Sequence, residues 1–299
     1  MATYRFETVD VFTDCRFGGN PLAVFPDARG LSSTEMQRLA FELNLSETTF
    51  VLPPASPAHS ARVRIFNRTT EMAFAGHPSI GTAYVLAKHS PPVDRVLRLE
   101  VPAGIVVVEL ATDETGEVVG GRITAPQPLT LAAEIPVETV AACAGILPTD
   151  VVVGTHAPVV ASVGNPYVIA EVTGDALSRC APDIRAFKQA LDARPEMAGR
   201  FSLHLYARDA DNIRARMFAP LAGTYEDPAT GSANAPLAGL LLSRIGTNRA
   251  RFTVRQGVEM GRPSLLEITA YRAEDGIRAT VAGHCVPVFK GEIQGMGEG

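Results

Sequence analysis

"FAGHPSIGTAYVLA", residues 74–87, opens on small residues and a histidine and then runs for over two turns with almost no polar side chain. A surface helix carries one apolar stripe. A helix that is apolar all round, and shorter than the roughly 20 residues that span a bilayer, belongs inside a domain. The segment therefore reads as a central core helix around which strands must be wrapped. A second stretch has the same character: "EDPATGSANAPLAGLLL", residues 226–242, passes from a glycine-bearing turn into "APLAGLLL". Two buried helices in one chain predict two cores.

The flanking sequence repeats in the same order. "GGNPLAV" (18–24) returns as "VGNPYVI" (163–169), and "RVRIF" (62–66) returns as "RARMF" (214–218), each ahead of its glycine-rich helix start. Three matches in order indicate a duplicated α/β unit. The register of the helix starts is open, since both Pro78 with Pro228 and Gly76 with Gly231 align. Alternation in "RVRIF" places Arg62, Arg64 and Phe66 on one strand face, and solvated arginines are the simplest expectation there. "RFETVDVF" and "ETTFVLP" read as strands, and "LSSTEMQRLAFELNL" as an amphipathic helix with Ser32 and Glu35 at capping-box spacing. "APQPLTL" (125–131) is the candidate crossover. The expected division is 1–124 with 279–299, carrying Glu47 and His77, and 125–278, carrying Asp227 and Ser232.

The 299 residues suit two domains of about 150. Net charge is −5 with dispersed basic residues, so neither a nucleic-acid nor a membrane partner is expected. "MATYRFETVDVF" has no basic stretch followed by an apolar one, so no secretory leader is read. Cys15, Cys143, Cys180 and Cys285 are scattered, which fits a reduced cytoplasmic protein with no zinc or other metal site. There is no phosphate loop and no dinucleotide fingerprint.

Both glycine-rich segments open helices whose free N–H groups suit a carboxylate ligand. His77 lies at the first, and Asp227 and Ser232 at the second. Each has an ordinary reading: a satisfied turn histidine, a helix-capping aspartate, a helix-start hydroxyl. Glu47, in "NLSETTFV" (44–51), is either a turn residue or a buried acid. No nucleophile arrangement stands out, which leaves Glu47, His77 and Asp227 as an acid/base set.

"DVFTDCRFGGNPLAVF", "MQRLAFELNLSETTFVLP", "RIFNRTTEMAFAGHPSIGTA", "RMFAPLAGTYEDPATGSANAPLA" and "QGVEMGRPSLLEI" together give the chain a resemblance to the PhzF-like (phenazine biosynthesis-like) family. The resemblance implies an α+β fold of the diaminopimelate epimerase-like type, with two pseudo-symmetric domains, each a mixed sheet curled round a central helix. It implies Glu47 as the catalytic acid/base, aided by His77 and Asp227, with Ser46, Gly76, Gly231 and Ser232 binding substrate. It implies a homodimer and a cofactor-independent isomerase moving a proton on a small cyclic or unsaturated carboxylate, as in isomerisation of trans-2,3-dihydro-3-hydroxyanthranilate. Two-cysteine epimerases of the wider fold carry thiols just before the paired glycines. Ala75 and Thr230 stand there instead, which favours the Gly76–Gly231 register and weighs against an amino-acid epimerase or racemase. The other alternative, a non-catalytic carboxylate-binding protein, sits poorly with retention of all four polar site residues.

Overall fold

The computed structural model describes residues 3–194, 197 and 201–294. They form two compact units, one of residues up to Ile123 with those from Ala282 on, the other Thr124–Val281. Residues 1–2 and 295–299, expected in the first unit, lie outside the described residues. The return crossing follows Val281 rather than residue 278. Ala279 still accepts the Ala125 N–H at 2.8 Å, and Ala279 and Val281 are buried.

The first unit comprises β1 (Tyr4–Val11), β2 (Asn20–Phe25), α1 (Ser33–Leu43), β3 (Glu47–Leu52), β4 (Ala61–Phe66), β5 (Glu71–Met72), α2 (Gly76–His89), β6 (Val96–Val101), β7 (Gly104–Thr112) and β8 (Val118–Thr124). The second comprises β9 (Thr130–Glu134), α3 (Val137–Ala144), β10 (Val151–Val152), β11 (Val159–Ser162), β12 (Pro166–Val172), α4 (Gly174–Arg179), α5 (Ile184–Asp192), β13 (Leu203–Asp209), β14 (Asn212–Ala219), β15 (Thr224–Asp227), α6 (Gly231–Ser243), β16 (Arg249–Gln256) and β17 (Ser264–Ala273). The long β18 (Gly276–Ile293) begins in the second unit and ends in the first.

Strand pairing repeats. β1–β2 is antiparallel, β2–β3 parallel, β3–β4 antiparallel, β4–β6 parallel and β6–β7 antiparallel. The second unit runs the same series as β11–β12, β12–β13, β13–β14, β14–β16 and β16–β17. In the first unit β7–β8, β8–β18 and β18–β1 complete a closed ring of strands, so the sheet curls fully upon itself. α2 packs against β1, β2, β3, β6 and β7 of that ring. Its residues Gly76–Val85 and Ala87 are all buried, as its uniformly apolar sequence requires. Gly81 permits the closest approach, since a Cβ there would lie 2.6 Å from Leu22 and 2.8 Å from Val11. Of the buried hydroxyls of α2, Thr82 meets the Thr49 hydroxyl at 2.8 Å and Ser79 donates to the Ala75 carbonyl at 2.8 Å. α6 is the counterpart of α2, buried from Ala233 to Leu242 and packed on β11, β12, β16 and β17.

The remaining helices cover outer faces. α1 begins with the expected capping box of Ser32 and Glu35 and buries Met36, Leu39 and Ala40 against Phe25, Phe50 and Phe66. Phe25 stacks on Phe50 with ring centroids 4.8 Å apart. Each such ring contributes about 1.5–3 kcal/mol by leaving water. In the second unit Phe187 of α5 meets Phe201 edge-on at 5.8 Å within a core that includes α3 and α4. No helix among the described residues is long and apolar enough to cross a membrane.

The expectation of solvated arginines holds for Arg62, which is exposed, but not for Arg64; in the repeated strand Arg214 is exposed and Arg216 buried. Arg64 forks onto Glu71 at 2.7 and 2.6 Å and lies over Phe66. Arg216, buried, forks onto Glu226 at 2.8 and 2.8 Å, lies over Phe218, and donates to the carbonyls of Leu177 and Cys180. Each clamp ties β4 or β14 to the short strand ahead of the buried helix. A planar guanidinium suits this double contact, because it satisfies a carboxylate and a ring face together.

Candidate active site

α1 stops at Asn44, which caps it in the left-handed conformation at φ 52°. Three residues later the chain enters β3 beside Leu22, and Glu47 is the first strand residue. It is therefore no turn residue: its side chain is 15% exposed and Oε2 is buried. His77 is the second residue of α2, with a side chain 8% exposed. Its Nε2 lies 3.1 Å from Glu47 Oε2. The two atoms are close enough to attract but are not aligned as a hydrogen bond, and neither finds another protein partner. Buried polar atoms are normally satisfied. Here a carboxylate oxygen and an imidazole nitrogen, side by side at a helix start, both retain hydrogen-bonding capacity for a third group. Ala75 precedes the helix and supplies no side-chain cap, so the positive end of α2 adds to the field felt by Glu47. Gly76 is the first residue of the helix and buried, and Ser46 is half-buried just ahead of β3.

The second unit builds a comparable helix start. Gly231 and Ser232 are the first two residues of α6, and Thr230 stands at its N-cap as Ala75 does at that of α2. This matches Gly76 with Gly231 and sets aside the Pro78–Pro228 alignment. Thr230 gives α6 no cap. Its hydroxyl instead donates to Asp227 Oδ2. Asp227 ends β15, directly after the clamped Glu226, and is 9% exposed. Ser232 Oγ lies 2.6 Å from Tyr167 Oη.

Several residues that hold this turn are not evident from the sequence. Gln256, fully buried, donates through Nε2 to the Asp227 carbonyl at 2.8 Å and to Thr230 Oγ1 at 3.0 Å. Its Oε1 accepts from Asn234 Nδ2 at 2.8 Å and from the Thr230 N–H at 3.3 Å. Asn234 also donates to the Thr230 carbonyl at 3.0 Å and faces His204 Nε2 at 3.2 Å. Ser264 donates to the Pro228 carbonyl at 2.8 Å. Burial pushes the His204 imidazole down to about 4, so it is neutral at pH 7. The one sequence signal was Asn234, a lone amide in an otherwise apolar helix. Burial also raises the thiols of Cys143 to about 12 and Cys180 to about 11, and raises Cys285 as well. Among the described residues, no three His, Cys, Asp or Glu side chains are grouped as a metal site would need.

A repeated mixed sheet curled round a buried helix, with an acid and a histidine at one helix start, defines a protein of the diaminopimelate epimerase-like fold. A hydroxyproline epimerase from Agrobacterium vitis shares that fold at TM-score 0.64, with 13% identity over 98% of this chain and 91% of that one. The chain belongs to the phenazine biosynthesis-like (PhzC-PhzF) family, whose sequence profile matches residues 9–291. It is 37% identical to the trans-2,3-dihydro-3-hydroxyanthranilate isomerase of Pseudomonas chlororaphis, over 97% of this chain and 99% of that protein. A PhzF-family phenazine biosynthesis protein from Bacillus anthracis superposes with TM-score 0.86 at 27% identity, over 98% of this chain and 100% of that one. The chain is thus a PhzF-type isomerase.

Proposed function

We propose that the protein is a cofactor-independent isomerase that moves a proton on a small cyclic or unsaturated carboxylate, of the kind the Pseudomonas relative's name describes, with Glu47 as the acid/base. The observation that carries this reading is the buried pair, Glu47 Oε2 and His77 Nε2, 3.1 Å apart and unsatisfied by the protein. Glu47 takes a proton from a ring carbon, and the electron pair of that C–H bond spreads into the conjugated system. Glu47 then returns the same proton to another carbon of that system, so atoms and charge balance without a further reactant. Burial of Oε2 limits proton loss to water between the two transfers. His77 hydrogen-bonds the substrate beside the reacting carbons. In the first unit Ser46 and the N–H groups at Gly76–His77 receive polar groups of a ligand; in the second the N–H groups at Gly231–Ser232 suit a carboxylate and Asp227 accepts from a ligand donor.

The test is Glu47→Gln, which keeps shape and polarity but cannot carry the proton. With trans-2,3-dihydro-3-hydroxyanthranilate and related ring carboxylates followed by proton NMR, the variant should lose about 10²–10⁴-fold in kcat. Turnover by the variant within a few-fold of the parent protein would reject Glu47 as the proton carrier.

A further inference from the structure

The side chains beneath Asp227 form a chain of hydrogen bonds with one allowed direction. The Thr230 carbonyl can only accept, so Asn234 turns its NH₂ toward it at 3.0 Å and toward Gln256 Oε1 at 2.8 Å. Asn234 Oδ1 then faces His204 Nε2 at 3.2 Å, and the fully buried, neutral imidazole donates from that nitrogen. Gln256 must then turn its own NH₂ toward the Asp227 carbonyl and Thr230 Oγ1, at 2.8 and 3.0 Å. Since Gln256 donates to the Thr230 hydroxyl, that hydroxyl's single proton points onward, and Asp227 Oδ2 receives it. Asn234 and Gln256 are 0% exposed and use both donors of each amide, so neither has reason to flip.

We infer that Thr230, oriented by Gln256, is a positioning residue for Asp227: it holds the carboxylate in one rotamer as an acceptor and is itself committed as a donor. The inference rests on the reading that Asp227 meets the substrate. It also explains a polar residue at the N-cap of α6 that does not cap the helix. A threonine that only filled space there would leave its hydroxyl to the helix, as N-cap residues ordinarily do.

Thr230→Val removes the hydroxyl at almost constant volume, and Thr230→Ser restores it. With trans-2,3-dihydro-3-hydroxyanthranilate as probe, Thr230→Val should lower kcat/KM about 10–100-fold, the range for a hydrogen bond to a charged group. Thr230→Ser should recover most of that loss. Within an Asp227→Asn background, Thr230→Val should cost less than 2-fold more, because a residue acting through Asp227 has nothing left to position. Circular dichroism and thermal melts of each variant would report any general loss of fold. Full activity in a folded Thr230→Val, or losses that multiply in the double variant, would overturn the inference. If Asp227→Asn alone is fully active, the assignment of Asp227 to the substrate falls instead.

Discussion

His204 gives the protein an acid sensitivity that can be worked out in advance. The imidazole on β13 is 0% exposed, and its Nδ1 meets no protein donor or acceptor. A second ring proton would sit on that unmatched nitrogen, and desolvation therefore drives the group from 6.5 down to about 4, against a smaller opposing effect of Asn234. The unfolded chain then binds this proton more readily than the folded one. Stability contributed above pH 6.5 is lost as pH falls toward 4. The full difference is worth about 3 kcal/mol, and roughly 2 kcal/mol of it has gone by pH 5. Urea unfolding of the protein and of His204→Gln at pH 8 and pH 5 isolates this contribution, because His156, also lowered by burial, titrates alike in both. The parent should lose about 2 kcal/mol more than the variant over that interval. An imidazole Cε1–H resonance absent from the variant should stay unshifted to pH 5. A flat difference between the two proteins, or a His204 resonance titrating near pH 6.5, would refute the argument.

Gly257→Ala should destabilise the protein by about 2 kcal/mol or more, because φ is +73° and a Cβ would lie 2.4 Å from the Arg262 carbonyl and 2.6 Å from that of Pro228. Gly116→Ala, at φ +86° with nothing within 4 Å, should cost only about 1 kcal/mol in the same melts. Arg216→Met should cost about 3–5 kcal/mol, since it strands Glu226 in a clamp whose side chains are 8% and 9% exposed. Arg64→Met should cost about 1 kcal/mol, since that pair is 23% and 32% exposed, and equal unfolding midpoints for the two would contradict the burial argument. Iodoacetamide under native conditions should label Cys15 alone by mass spectrometry, because it is the exposed cysteine and the other three are buried with raised thiol pKa.

What could be read from the sequence was whatever a short window settles. α2 and α6 were legible because a helix without a polar face has one place to go. Ser32 and Glu35 were legible because a capping box is local. The G-N-P turns and R-x-R-x-F strands marked the repeat, and the shared parallel and antiparallel series followed from it. Arg64 was misread as solvated because its partner, Glu71, comes from the next strand, as Glu226 does for Arg216. Gln256 sits 29 residues from Asp227 in sequence, and no pattern in "QGVEMGRPS" reveals that its amide faces inward. Polar satisfaction is a tertiary property, so the motif residues of the site were visible while their supports were not.

The closed strand ring of the first unit has a consequence for synthesis. β1 takes residues Cys285–Ile293 of β18 as one of its two neighbours, and β8 takes β18 as well. A ribosome makes β1 first and that neighbour last, after the whole of residues 124–281. At ~5–20 residues per second the interval is roughly 10–30 s. Throughout it the nascent first half carries two unpaired strand edges and an unsealed barrel around α2, whereas the second half has all its strands as soon as residue 281 is made. The order of completion therefore runs against the order of translation, and the nascent first half is the part that calls for chaperone protection.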